Sequence, residues 1–292
     1  MSKISRRVIQ VITAIGINSY FIGFTQGSIY KGNLKKICVP GLNCSSCPGA
    51  WGSCPLAMLQ TSIADMVSSQ FKLFIFGFLA LTGVILGRFA CGWFCPFGLI
   101  QELIYKIPVP KWTLGGKFKR LENLKYVILI VFVLLLPALG AYGMSSTAFC
   151  KYLCPVEVLE ASLPMMMVRP SIIETMGFLF KWKLVFLITL LLLALVVFKP
   201  FCRFICPLGA IYSLFNPISL YRLEVDQDKC TQCGSCQDHC KFAIKVYEEP
   251  NNRECMRCNE CLVCPTEALT IKGYGKPKNI SRGYPEGHTR SF

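Results

Sequence analysis

Two runs of four cysteines stand near the C-terminal end of the chain. Residues 230–240 read C-TQ-C-GS-C-QDH-C, and residues 255–264 read C-MR-C-NE-C-LV-C with Pro265 directly after them. The spacing C-x2-C-x2-C-x3-C-P binds [4Fe–4S] clusters in bacterial proteins, and its fourth cysteine ligates the other cluster of the pair. Lys241 replaces the proline of the first run, and the second run is one residue short before its last cysteine. The two runs therefore predict two iron–sulfur sites.

The ligands of the two sites follow from the same spacing. Three neighbouring cysteines wrap three corners of a cubane, and a distant cysteine closes the fourth corner. We expect two sets of ligands, which are Cys230, Cys233, Cys236 and Cys264 for the first cluster and Cys255, Cys258, Cys261 and Cys240 for the second. Zinc ribbons also use C-x2-C pairs and are the alternative. Residues 222–272 resemble a bacterial two-cluster ferredoxin, a small α+β domain, and residues 273–292 are predicted to form a flexible tail.

Four Cys-Pro steps in the rest of the chain align with one another. They read CPLAMLQ from Cys54, CPFGLIQ from Cys95, CPVEVLE from Cys154 and CPLGAIY from Cys206. The last three have a second cysteine four residues earlier, at Cys91, Cys150 and Cys202. One step follows each of four apolar segments, so residues 1–221 are predicted to be a tandem duplication.

The apolar segments predict a membrane domain. Of the 292 residues, 53% are hydrophobic and only 16% are charged, whereas soluble domains have about 25% charged residues. Residues 8–30, 71–90, 126–143 and 182–198 each approach the ~20 residues that cross a bilayer. We therefore expect an α-helical membrane protein with four transmembrane helices, and buried helices of a soluble protein are the alternative.

The distribution of cations predicts the orientation of these helices. Three cations precede the first segment and six lie between the second and third segments, which favours a multi-pass protein of the cytoplasmic membrane with both termini and the ferredoxin-like domain in the cytoplasm. The formal net charge of +15 suits contact with anionic membrane lipid. Nucleic acid is not expected as a partner because no recognition motif accompanies the charge.

This topology divides the other ten cysteines between the two membrane faces. The inner face receives Cys91, Cys95, Cys202 and Cys206, two from each repeat, which predicts a third cluster. Thiols that are only buried, or that bind zinc, are the alternative. Small Gly98 and Gly209 would let the backbone approach closely there. Four outer cysteines could hold a fourth cluster or pair as disulfides, and the repeat favours Cys47, Cys54, Cys150 and Cys154 as its ligands. No role is predicted for Cys38 and Cys44.

The chain resembles the NapH-type membrane iron–sulfur proteins, which are akin to the NosR and CcoG types. The resemblance lies in four apolar segments, in R-R-x-x-Q at Arg6, Arg7 and Gln10, in C-G-W-x-C-P from Cys91, and in the C-terminal double ferredoxin pattern. It implies a membrane electron carrier that works with partner redox proteins, and for the NapH type it implies quinol oxidation. The step at Cys150–Cys154 and the cysteines from 38 to 54 depart from the usual pattern, so the substrate is not transferred.

Three functions are compatible with these features. The first is electron transfer between quinone and a partner redox protein, for which Glu102, Glu157 and Glu160 are candidate proton-transfer groups. The others are reduction of an acceptor outside the cytoplasm and redox regulation or maturation. Catalytic residues of other kinds are not predicted. No histidine stands in an apolar segment, so no haem is expected there, and no dinucleotide fingerprint follows a strand.

Overall fold

The structure is a computed structural model that describes residues 3–65, 73–112, 116–139, 146–170 and 177–271. The tail predicted for residues 273–292 lies outside these residues, as do parts of the second and third apolar segments.

The described chain is mostly helical. Its α-helices are Lys3–Ile17, Phe21–Gln26, Pro55–Asp65, Phe74–Leu86, Phe89–Trp93, Pro96–Ile104, Leu124–Ile128, Leu136–Ala138, Ala148–Tyr152, Pro155–Glu157, Leu163–Val168, Phe178–Val196, Pro200–Phe204, Pro207–Phe215 and Ser235–Asp238. Two π-helical stretches, Leu129–Leu135 and Val158–Ser162, join neighbouring α-helices into longer rods. Short 3-10 helices span Asn33–Lys36 and Gly116–Asn123.

Two helices are long and apolar enough to cross a membrane, judged by length and composition. They are Arg120–Ala138 and Phe178–Val196. The first apolar segment divides into two helices at Asn18–Tyr20. Phe74–Leu86 has 13 residues and is therefore about 20 Å long, which is less than the ~30 Å of hydrocarbon. The prediction of a helical protein with apolar helices is confirmed, and four spans stay a prediction.

Each Cys-Pro step starts a helix. Cys95, Cys154 and Cys206 have extended backbone angles, and the proline that follows occupies the first helical turn. Proline keeps the preceding residue out of the helical conformation and is itself suited to the first turn. The thiol consequently lies at a helix N-terminus, where free N–H groups are available to the sulfur, as at Cys206, whose Sγ accepts the Gly209 N–H at 3.4 Å. We call Pro55–Asp65, Pro96–Ile104, the rod from Pro155 and Pro207–Phe215 the Cys-Pro helices.

The ferredoxin-like segment is closed by a two-stranded sheet. Strand Leu223–Val225 pairs antiparallel with Leu269–Ile271, and Leu223 faces Ile271. Leu223, Val246, Cys261 and Leu269 form a small core of their own between the strands and the cysteine loops. The pairing of these two strands joins the ends of the segment, and both cysteine runs lie between them in the sequence.

Candidate metal centres

The ferredoxin-like segment gathers its cysteines into two sets. Cys230, Cys233, Cys236 and Cys264 line one small cavity, which we call the first ferredoxin site. The second ferredoxin site consists of Cys240, Cys255, Cys258 and Cys261. There, the pKa of Cys255 is raised to about 12, because burial and the neighbouring Cys258 and Cys240 together outweigh the lowering by the Arg257 N–H. The grouping is the one that the spacing predicts, with Cys264 and Cys240 exchanged between the runs.

A third set of cysteines lies between the two repeats. Cys91, Cys95, Cys202 and Cys206 are all buried and interact electrostatically with one another; we call them the central site. The Gln101 side chain donates to Cys202 Sγ at 3.3 Å and accepts the Phe201 N–H at 3.2 Å. One glutamine of the first repeat thereby holds the cysteine helix of the second.

Glycine allows a close approach of the backbone beside these thiols. A Cβ at Gly98 would meet the Cys91 carbonyl oxygen at 3.2 Å, and a Cβ at Gly209 would meet the Cys202 carbonyl oxygen at 3.3 Å. The two repeats thus make the same close approach.

Buried cations surround the central site. Arg88 is fully buried and donates to the Cys202 carbonyl oxygen at 2.9 Å and to Glu254 at 2.6 Å. Lys199 is also buried, and its Nζ lies 3.7 Å from the position that a Cβ on Gly98 would take. Four thiolates carry four negative charges, which are costly in an apolar interior unless they are compensated. Arg88 and Lys199 both interact electrostatically with Cys91 and oppose part of this charge, although each is also paired with a carboxylate.

The second ferredoxin site packs directly against the central site. A Cβ at Gly92, which lies between Cys91 and Cys95, would stand 2.7 Å from the Met256 carbonyl oxygen. Trp93 Nε1 donates to the Arg257 carbonyl oxygen at 3.1 Å. Met256 and Arg257 lie between two ligands of the second ferredoxin site. The residues between Cys91 and Cys95 therefore contact the residues between Cys255 and Cys258, and no other layer of protein separates the two sites at this point.

Replacing Gly92 with alanine is expected to push the second ferredoxin site away from the central site. The new methyl group would overlap backbone rather than a flexible side chain, and overpacking costs about 1–3 kcal/mol. Thermal unfolding should therefore begin at a lower temperature in Gly92→Ala. Gly77→Ala is the matched control because a Cβ there meets nothing within 4 Å, and an equal loss in both variants would contradict the contact.

The N-terminal helix holds this junction together. Arg6 pairs with Glu102 of the Pro96–Ile104 helix and with Glu260 of the second ferredoxin site, the latter at 2.9 Å. Gln10 Nε2 donates to the Gly92 carbonyl oxygen at 2.7 Å. Two residues of the R-R-x-x-Q pattern therefore bind the loop and the domain that meet at the central site.

The three candidate proton-transfer carboxylates have different environments. Glu102 is buried and paired with Arg6 and Lys199. Burial raises its pKa, but the two cations outweigh burial and the pKa lies below its ordinary value. Glu102 is thus a charged structural group. Glu157 pairs with Lys183 at 2.8 Å, and Glu160 accepts the Cys44 N–H at 2.7 Å, while burial raises the pKa of Glu160 to about 7.

A fourth set of cysteines differs from the predicted one by one residue. Cys44, Cys54, Cys150 and Cys154 line a common cavity, and we call them the distal site. Cys47, which the repeat favoured, is buried but is not part of the cavity lining. The repeat favoured Cys47 as the fourth ligand, whereas the chain from 38 to 54 folds as a loop that presents Cys44 to the cavity. Cys38 contacts Met58, with 3.2 Å between the sulfur atoms.

The donor sets suit clusters better than single metal ions. Among the described residues, no three His, Cys, Asp or Glu side chains converge closely enough to hold one ion. Zinc needs four ligands around one point, whereas four thiolates of a [4Fe–4S] cluster bind separate irons of the cubane. Sites built only from thiols fit that group. When bound, such clusters supply one-electron oxidation and reduction.

Two family models match the chain, and both describe a 4Fe-4S binding domain. One covers residues 68–115, 126–159 and 181–221, which include the central site and part of the distal site. The other covers residues 223–244, in the ferredoxin-like segment. No solved structure matches the chain.

Three curated relatives show how far the similarity extends along the chain. Uncharacterized protein MJ0750 of Methanocaldococcus jannaschii is 32% identical over 73% of this chain and 82% of its own length. Ferredoxin-type protein NapH of Escherichia coli is 27% identical over 66% of this chain and 68% of its own. Regulatory protein NosR of Pseudomonas aeruginosa is 28% identical over 68% of this chain but only 26% of its own.

Proposed function

Because the chain belongs to the family of NapH- and NosR-like iron–sulfur proteins, whose members include electron-transport proteins, we propose that it transfers electrons between membrane quinone and a partner redox protein. The observation that carries this proposal is the direct packing of Met256 against Gly92, because it joins the ferredoxin sites to the central site. We assign the ligands to these sites as grouped above. The first ferredoxin site, which includes the exposed Cys233, faces the partner.

The proposed architecture has three parts. Residues 1–221 form a four-span membrane domain, residues 222–272 form the two-cluster ferredoxin domain, and residues 273–292 follow as a tail. The exposed apolar side chains of the Phe178–Val196 helix, such as Phe178 and Val185, support contact with lipid. We place the ferredoxin domain in the cytoplasm on the basis of the cationic flanks.

The chain's own residues shape this transfer. Arg88 and Lys199 oppose part of the thiolate charge, and Gln101 fixes the orientation of Cys202. Hydrogen bonds and charges near sulfur are the protein's means of setting a reduction potential. Oxidation of one quinol releases two electrons and two protons. The partner must then accept two electrons, one at a time, and the protons pass to water.

The quinone link is tested with the full chain, purified without oxygen in detergent. A quinol analogue is expected to bleach the visible absorbance of the protein, and a quinone is expected to restore it after reduction by dithionite. Iron content should be at least about 12 per chain, which is four for each of three clusters. Absorbance that responds to dithionite but to neither quinol nor quinone would remove the quinone and leave electron transfer to protein partners.

A further inference from the structure

The distal site repeats the internal hydrogen bonds of the central site. Gln60 Nε2 donates to Cys150 Sγ at 3.4 Å, and Gln60 Oε1 accepts the Phe149 N–H at 2.9 Å. Gln101 makes the same two bonds to Cys202 and Phe201. Gln60 and Gln101 each stand six residues after the cysteine of a Cys-Pro step. The two sites are therefore built on one plan.

The residue six positions after the Cys-Pro cysteine also has a common role in the two steps of the second repeat. It is Glu160 after Cys154 and Tyr212 after Cys206. Glu160 accepts the Cys44 N–H at 2.7 Å, and the Tyr212 hydroxyl donates to the Pro40 carbonyl oxygen at 3.2 Å. Both residues thus hold the loop that carries Cys44. In the first repeat this position fixes a cysteine helix, and in the second repeat it fixes the cysteine loop.

Cys44 takes the place of a cysteine that the first Cys-Pro step lacks. The other three steps have a cysteine four residues before the Cys-Pro pair, whereas the first step has Ala50 there. Ala50 is fully buried and offers no ligand. The Cys44 thiol lines the same cavity as Cys54, Cys150 and Cys154. The site thereby regains four thiols.

We propose that Cys44, Cys54, Cys150 and Cys154 hold a fourth [4Fe–4S] cluster. The proposal deepens the electron-transfer function proposed above, because it adds a site beyond the central one. Leu42 lines the distal cavity, and its carbonyl oxygen lies 3.9 Å from Cys95 Sγ of the central site. One residue therefore contacts both sites, which suits passage of single electrons between them.

The distal site also borders an open cavity on its far side. The cavity has a volume of about 450 Å³ and is lined by Cys150, Glu157, Phe180 and Lys183, among other residues. Lys183 and Val196 are separated by 13 positions of one helix, or about 20 Å along its axis, and the central site follows the Val196 end. The cavity thus lies well away from the ferredoxin-like segment. It gives a quinone or a redox protein access to Cys150.

Iron analysis of two serine variants tests the proposal. The unsubstituted full chain, reconstituted without oxygen, is expected to contain about 16 irons, or four for each of four clusters. Cys44→Ser should contain about 12, because serine is a poor ligand in place of thiolate, while Cys47→Ser should keep about 16. Cys47 is the matched control because it is buried in the same loop. Electron paramagnetic resonance of the reduced proteins should show the loss of one cluster signal only in Cys44→Ser.

The outcomes separate this proposal from the proposed function. About 12 irons in the unsubstituted chain and in both variants would overturn the fourth cluster and leave electron transfer through three clusters intact. Iron loss in Cys47→Ser but not in Cys44→Ser would overturn the ligand assignment. Should Cys44→Ser not fold, the iron count of the unsubstituted chain still decides, together with zinc analysis. Zinc at one ion per chain with about 12 irons would also overturn the proposal.

Discussion

Replacing Cys95 with alanine is expected to remove about four irons per chain and to stop electron exchange between quinol and the ferredoxin sites. Cys95 begins a Cys-Pro helix, is buried, and interacts with Cys91 and Cys202. Alanine has no ligand atom, so the central site would keep three thiols. Since Met256 packs on the loop that ends at Cys95, the central site is in direct contact with the ferredoxin-like segment.

The measurement is the rate at which a quinol analogue bleaches the ferredoxin clusters. The control is Cys47→Ala, which removes a buried thiol outside the four sites and should keep both iron and rate. Dithionite should still reduce the ferredoxin clusters in Cys95→Ala, which separates a broken path from an unfolded protein. An unchanged quinol rate in Cys95→Ala would show that electrons bypass the central site.

Much of the site layout follows from the order of cysteines. The C-x2-C runs indicate which thiols share a ferredoxin site, because three ligands are local and the fourth comes from the neighbouring run. The Cys-Pro steps indicate the central site in a different way, because proline fixes where each helix starts and so where its cysteine lies. Both are short-range signals. The close approaches at Gly98 and Gly209 also follow from the repeat.

The residues that sequence reasoning missed act over long range. Arg88 binds Glu254, which lies 166 positions away, and no periodic pattern marks such a pair. Gln60 and Gln101 had a visible signal, because both end the aligned strings CPLAMLQ and CPFGLIQ. Cys44 had none, because an irregular loop carries it and only the fold decides which loop thiol faces Cys54 and Cys154. The hydrogen bond from the Cys44 N–H to Glu160 holds this part of the loop, so that Cys44 is the thiol that faces the site.

Replacing Arg6 with alanine is expected to loosen the ferredoxin-like segment from the helical part of the chain and to lower the free energy of unfolding by about 3–5 kcal/mol, the cost of leaving buried charge unpaired. Arg6 is 2% exposed and pairs with Glu102 and Glu260. Lys199 and Lys241 also approach these carboxylates, at 3.3 and 3.1 Å, so the loss should fall near the lower figure. Chemical denaturation followed by fluorescence measures it.

The rate of electron exchange with quinol distinguishes the loss of a bridge at Arg6 from a general loss of stability. The guanidinium bridges one carboxylate on each side of the junction, so its removal should slow bleaching of the ferredoxin clusters by quinol while iron content stays unchanged. Arg169→Ala is the control, because it removes a cation from an exposed position where Nη2 donates to the Gln26 carbonyl oxygen at 3.1 Å. Equal stability and equal rate in Arg6→Ala and Arg169→Ala would mean that other contacts, such as Arg88 with Glu254 and Trp93 with Arg257, hold the two parts together without Arg6.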